Sequence, residues 1–157
     1  MEELMELRQL LEAGHLPEAM LLLDEMDEMA KDDKINKIES HLMILLLHFI
    51  KQAAEKHSTR SWNVSIRNAT HSVVRSWKRR KSGGYYLTEQ ELRDAIDESY
   101  SYALGRAATE AFGGAYTEKQ LASMIDGERI RKEAARRLFR PEEADNEIDT
   151  DNLEWLK

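Results

Sequence analysis

The sequence predicts an all-α fold, a bundle of about five main helices with short C-terminal helices and a mobile acidic tail. Three observations carry this. Apolar residues recur at i, i+3 and i+4 in one segment after another, while strand-like alternation is scarce. Proline occurs only at positions 17 and 141, so little interrupts helix growth. The stretch IESHLMILLLHFI, Ile38 to Ile50, is apolar at nearly every position from Leu42 onward. A helix apolar all round belongs in the interior, so this rod is the element the others wrap around.

The elements run in order. Glu2 to Ala13 carries Leu4, Leu7, Leu10 and Leu11 at helical spacing, with Gly14 as C-cap. Leu16-Pro17 restarts the chain, and Pro17 suits a first turn. The second helix, Pro17 to about Ala30, sets Met20, Leu21, Leu23, Met26 and Met29 against Asp24, Glu25, Asp27 and Glu28. Its Met- and Leu-rich side is an apolar patch suited to self-association. Asp32 or Asp33 caps a third helix running to about His57. The fourth is expected from about Ser61 to Lys81, capped by Thr59 or Ser61. Trp62, Ile66, Ala69, Val73 and Trp77 form its apolar side; Arg60, Arg67, His71, Arg75 and Lys78 form the opposite one. Thr88-Glu89-Gln90-Glu91 and Thr117-Glu118-Lys119-Gln120 are capping boxes that open a fifth helix, ended by Gly113-Gly114, and a short one to about Ile125. Glu128 to Phe139 is a basic helix stopped before Pro141, and the tail from Glu142 has too few apolar residues to fold alone. The expected organisation is a bundle at 1–126, a basic helix at 127–140 and an acidic tail at 141–157.

Composition removes several function classes. With no cysteine, disulfides, thiol catalysis and Cys-ligated zinc are out. The longest apolar run, Leu42 to Leu47, is far too short to span a membrane, and the N-terminus is acidic; a cytoplasmic protein without membrane contact is expected. The net charge of −7 hides segregation: residues 58–81 hold seven bases and no acid, whereas residues 1–57 hold thirteen acids and six bases. Such blocks pair between helices or form separate polar surfaces.

Chemistry-bearing residues are few. His41 and His48 lie seven apart on the core helix, where two imidazoles and a carboxylate from a facing helix can share a metal; a core histidine bonded to a backbone carbonyl fits the same spacing. Asp94, Asp97 and Glu98 can hold a divalent cation, or form a solvated face docked on the fourth helix, with Arg93 paired to Asp97. No Gly-x-Ser-x-Gly elbow occurs, and Gly83-Gly84 and Gly113-Gly114 lack the Lys-Ser/Thr of a phosphate loop. No catalytic residue, metal ligand or cofactor is therefore assigned. The binding candidates are the stripe Arg60, Arg67, His71, Arg75 and Lys78, continued by Arg79 and Arg80, together with Arg136, Arg137 and Trp155. The stripe suits a phosphate backbone or an acidic protein surface. Trp155 among acids is either a docking anchor or a stray aromatic on an unconstrained tail.

Leu10-Leu11-Glu12-Ala13-Gly14, Glu39-Ser40-His41-Leu42 through Leu46-Leu47-His48-Phe49-Ile50-Lys51, Ser61-Trp62 with Ser65-Ile66-Arg67, and Tyr116-Thr117-Glu118-Lys119-Gln120-Leu121 together resemble DUF29, a bacterial family of unknown function. The resemblance spans roughly residues 5–126. Gln52 stands where the family has Trp, and Asn68-Ala69 where it has Gln-Arg. The resemblance implies a helical bundle of prokaryotic or phage origin and supplies no activity. The expected function is that of a non-enzymatic accessory or adaptor protein gripping a partner through the basic face and the C-terminal extension. That partner is another protein or a ribonucleoprotein assembly. Direct DNA or RNA binding by residues 60–81 is the alternative and a metal-dependent enzyme the second alternative; a homo-oligomer formed through the apolar side of the second helix is compatible with each.

Overall fold

The computed structural model describes residues 2–78, 83–144 and 153–157. The chain is all-α: α1 (Glu2–Glu12), α2 (Leu16–Glu55), α3 (Arg60–Trp77), α4 (Glu89–Glu110), α5 (Glu118–Met124), α6 (Gly127–Phe139) and α7 (Pro141–Ala144). Short 3-10 turns cover Ala111–Gly114 and Glu154–Leu156. Among the described residues the only sheet-like feature is an isolated bridge between Lys78 and Tyr85. The chain divides into two compact units, Met1–Asn36 and Lys37–Lys157.

In the first unit, α1 ends in the expected glycine turn. Gly14 adopts φ 78, and His15 N–H donates to Leu10 O at 2.9 Å. The next element differs from the expectation: in place of separate second and third helices there is one helix, α2, of 40 residues. No Gly or Pro occurs between Pro17 and Lys56. Asp32 and Asp33 are exposed, and an exposed Asp inside a helix costs only a fraction of a kcal/mol, about 0.7 at most. A capping residue permits a helix start; it does not impose one. The helix ends where Lys56 turns left-handed, at φ 59.

In the second unit the C-terminal part of α2 is the core. Ile38, Leu42, Leu45, Leu46, Phe49 and Ile50 are fully buried, as the apolar run requires, while Met43, Ile44 and His48 are half-buried. Around them lie Ile66, Ala69, Val73 and Trp77 of α3, Leu92, Ile96, Ala103 and Ala107 of α4, Leu121 of α5, and Ile130, Ala134 and Leu138 of α6. α4 packs on α5 and α6, and α3 on α6 and α7. Gly127 permits the α4–α6 approach, since a Cβ there would lie 2.7 Å from the Tyr100 hydroxyl.

The three threonine caps of this unit form as read. Thr59 Oγ1 accepts from Trp62 N–H at 3.1 Å, and both capping boxes close reciprocally, Thr88 with Glu91 and Thr117 with Gln120. α3, however, stops at Trp77 rather than Lys81, and Lys78 is extended. Tertiary contacts set that end. The Trp77 indole donates to Leu87 O at 2.8 Å, Tyr86 N–H donates to Trp77 O at 2.9 Å, and Tyr85 stacks on the Trp77 ring at 4.2 Å. The returning strand-like segment takes the carbonyl that a longer helix would have used.

Candidate functional site

α3 is sharply two-sided. Ile66, Ala69, Thr70, Val73 and Trp77 are buried, and Arg60, Arg67, Arg75 and Lys78 lie on the opposite side, all four exposed. At 100° per residue these four cations fall within an arc of roughly 80°, with Val64 and His71 among them, and span roughly 27 Å. The helix contains no acid. Among the described residues, none of the four pairs with an acid of the chain. Arg79 and Arg80 lie outside the described residues. Trp62 sits off this face: it is half-buried, stacks on His57 at 5.0 Å and carries the Lys51 ammonium 4.7 Å from its centroid.

The C-terminal candidates are placed differently. Arg137 is buried and donates from Nε to Glu133 Oε1 at 2.8 Å, with its guanidinium 5.0 Å from the centre of the Phe49 ring. Arg136 straddles the same carboxylate at 2.7 and 3.0 Å. Trp155 lies 5.1 Å from the Phe49 ring and donates its indole N–H to Gln52 Oε1 at 3.3 Å. Arg129 Nη1 donates to Leu156 O at 2.6 Å. The chain's last residues are thus laid against its own α2 and α6. Of the tail expected to be mobile from Glu142, residues 145–152 lie outside the described residues, Pro141–Ala144 instead form α7, and residues 153–157 are held against the chain.

The α4–α6 seam holds a feature that the sequence did not disclose. Two adjoining clefts, of about 340 and 500 Å³, share Arg93, Lys132 and Ala135. Arg131 and Asp97 line the first; Arg136, Phe139 and Arg140 line the second. The expected Arg93–Asp97 pair does not form. Arg93 stacks on Phe139 at 4.8 Å, and Asp97 instead faces Arg131 at 3.6 Å. Asp97 of α4 therefore meets α6 and not the basic face of α3. Only the seam of two helices distant in sequence creates these neighbours, so spacing within either helix carries no signal for them.

The histidine reading resolves locally. His48 Nδ1 lies 2.8 Å from Ile44 O, one turn back, and its ring stands edge-on to Trp62 at 6.5 Å. Burial pushes its pKa below that of an ordinary imidazole, against the opposing pull of the Ile44 carbonyl. The folded state therefore favours the neutral ring, and the unfolded chain takes up the proton first. The contribution is complete above about pH 6.5 and is lost as pH falls through the lowered folded value. His48→Asn keeps a donor for Ile44 O and does not titrate. Urea unfolding at about pH 7.5 and 5.5 is expected to show the wild type losing more stability than this variant; equal losses would refute the assignment. Among the described residues, no group of three or more His, Asp or Glu side chains is arranged to hold a metal ion. Asp94 instead accepts from Gln90 Nε2 at 2.9 Å.

The family model described as "Domain of unknown function DUF29" matches residues 5–123, three-quarters of the chain. The protein belongs to the DUF29 family. No curated protein and no solved structure matches it. Among the described residues of this DUF29 protein, no helix is long and apolar enough to cross a membrane. The family match ends within α5, yet α6 and the terminal turn add Ile130, Leu138, Arg137 and Trp155 to the packing around α2. The C-terminal part of the DUF29 segment thus shares one core with α6 and the terminal turn.

Proposed function

We propose that this DUF29 protein is a non-enzymatic interaction protein of the cytoplasm that binds an acidic surface of another protein through the outer face of α3. One observation supports the reading: Arg60, Arg67, Arg75 and Lys78 line one side of a helix whose other side is buried, and they find no acid among the described residues. Cations aligned without counter-charges repel one another and gain most when an anionic surface arrives. Val64, exposed between Arg60 and Arg67, adds an apolar contact that a protein surface can use. Arg136, Arg137 and Trp155, engaged within the chain, add little to such a face.

Nucleic acid is the second reading, supported by the straight run of the stripe and its continuation in sequence as Lys78-Arg79-Arg80-Lys81. Nuclease-treated lysate of a bacterial host, passed over immobilised protein, separates the two. Wild type is expected to retain a partner protein, and the reversal Arg67→Glu, Arg75→Glu, Lys78→Glu to lose it by about tenfold or more. Retention that nuclease abolishes, with affinity falling steeply as salt rises, would replace this reading by the nucleic-acid one. Retention unchanged by the triple reversal would reduce the stripe to solvated surface.

A further inference from the structure

The first unit leaves much of its apolar surface uncovered, though Leu7, Leu10, Leu22 and Met26 are half-buried. Across its described residues Ala19 alone is buried. On α2, Leu16, Met20 and Leu23 recur at i, i+4 and i+7, one face of the helix; on α1, Leu4 and Leu11 recur at i and i+7. All five are 45% to 59% exposed. Single exposed leucines need no explanation, but whole helix faces of them mark a contact surface. The surrounding charge says what kind. Residues 1–36 carry eleven acids and three bases, and Glu12, Glu18, Asp24, Glu25, Asp27 and Glu28 crowd the same stretch. A second copy would bring equally acidic surroundings against these, so self-pairing sets like charge against like. An anionic membrane is disfavoured for the same reason.

We infer that the Met1–Asn36 unit binds a basic amphipathic helix of another protein, seating its apolar stripe on Leu16, Met20 and Leu23 and its Lys/Arg flanks among the acids. Helix-on-helix recognition of this kind reads anchors at i, i+3, i+4 and i+7, the spacing that α2 presents. Met20, exposed within this face, supplies flexible, polarisable contact that adapts to the partner's side chains. This surface shares no residue with the α3 face and stands or falls independently of it.

The test uses the full chain and a fluorescein-labelled peptide of about 18 residues, leucine at i, i+3, i+4 and i+7 and lysine elsewhere. One control has the same composition with the leucine face scrambled; the other replaces lysine with glutamate. Fluorescence anisotropy at physiological salt is expected to show the Leu/Lys peptide bound at least about tenfold more tightly than either control. Met20→Gln with Leu23→Gln, both exposed and both helix-compatible, is expected to leave the thermal midpoint unchanged and weaken the peptide by about tenfold. The α3 triple reversal is expected not to weaken it. Equal binding of the scrambled peptide would reduce the effect to charge alone and overturn the inference, as would absence of binding. Dimerisation in sedimentation equilibrium that the double substitution abolishes would also overturn it, in favour of a second copy.

Discussion

Replacing Glu133 with Gln is expected to destabilise the protein by about 3–5 kcal/mol, a loss readable in urea unfolding. The carboxylate and the Arg137 side chain are 7% and 9% exposed, joined at 2.8 Å, and Arg136 completes a three-group cluster from the same helix. An amide keeps the shape but removes the charge that balances two guanidinium groups. Arg137 would then remain beside the fully buried Phe49 ring without the carboxylate that now lies 2.8 Å from its Nε. Removing one partner of a buried pair costs far more than the pair contributes, because the survivor keeps its desolvation penalty. Replacing Glu133 and Arg137 together by Leu and Met is therefore expected to cost much less than the single change. A loss under about 1 kcal/mol for Glu133→Gln would mean that water reaches the cluster.

Phe49→Ala is the second large effect, expected at about 3–5 kcal/mol. Phe49 is fully buried, with Trp155 at 5.1 Å and the Arg137 guanidinium at 5.0 Å. Alanine would leave a cavity whose walls come from α2, α6 and the terminal turn, and helices packed on several sides collapse poorly into such a gap. Trp155→Ala alone is expected to cost less, since Trp155 is only half-buried. Because the two rings touch, the double variant is expected to fall short of the sum by about 0.5–1.5 kcal/mol. Strict additivity in that cycle would show that the C-terminal turn does not rest on α2 in solution.

Backbone capping was readable where one short window contains both partners, whereas Arg93 and Asp97, only four residues apart, are drawn to Phe139 and Arg131 instead. Thr88 reaches Glu91 and Thr117 reaches Gln120 within a turn, so both capping boxes could be seen in the sequence and both form. His48 likewise meets a carbonyl of its own helix. The split of the second helix at Asp32-Asp33 failed for the converse reason. Side chains that would suit a cap sit equally well, exposed, on a continuous helix, and nothing in the window penalises continuation. α3 ends at Trp77, short of the expected Lys81, because Leu87 O and Tyr86 N–H, ten and nine residues on, engage Trp77.

The sequence alone determined that a rod from Ile38 to Ile50 lies inside and that Arg67, Arg75 and Lys78 face outward, because periodicity and hydrophobicity are properties of one helix. Only the tertiary structure decided which side chains meet across the seams. Arg93 goes to Phe139, Asp97 to Arg131, and Trp155 crosses 103 residues to Gln52. Side chains pair with whatever packing brings within a few ångströms, and at helix seams that neighbour comes from far along the chain.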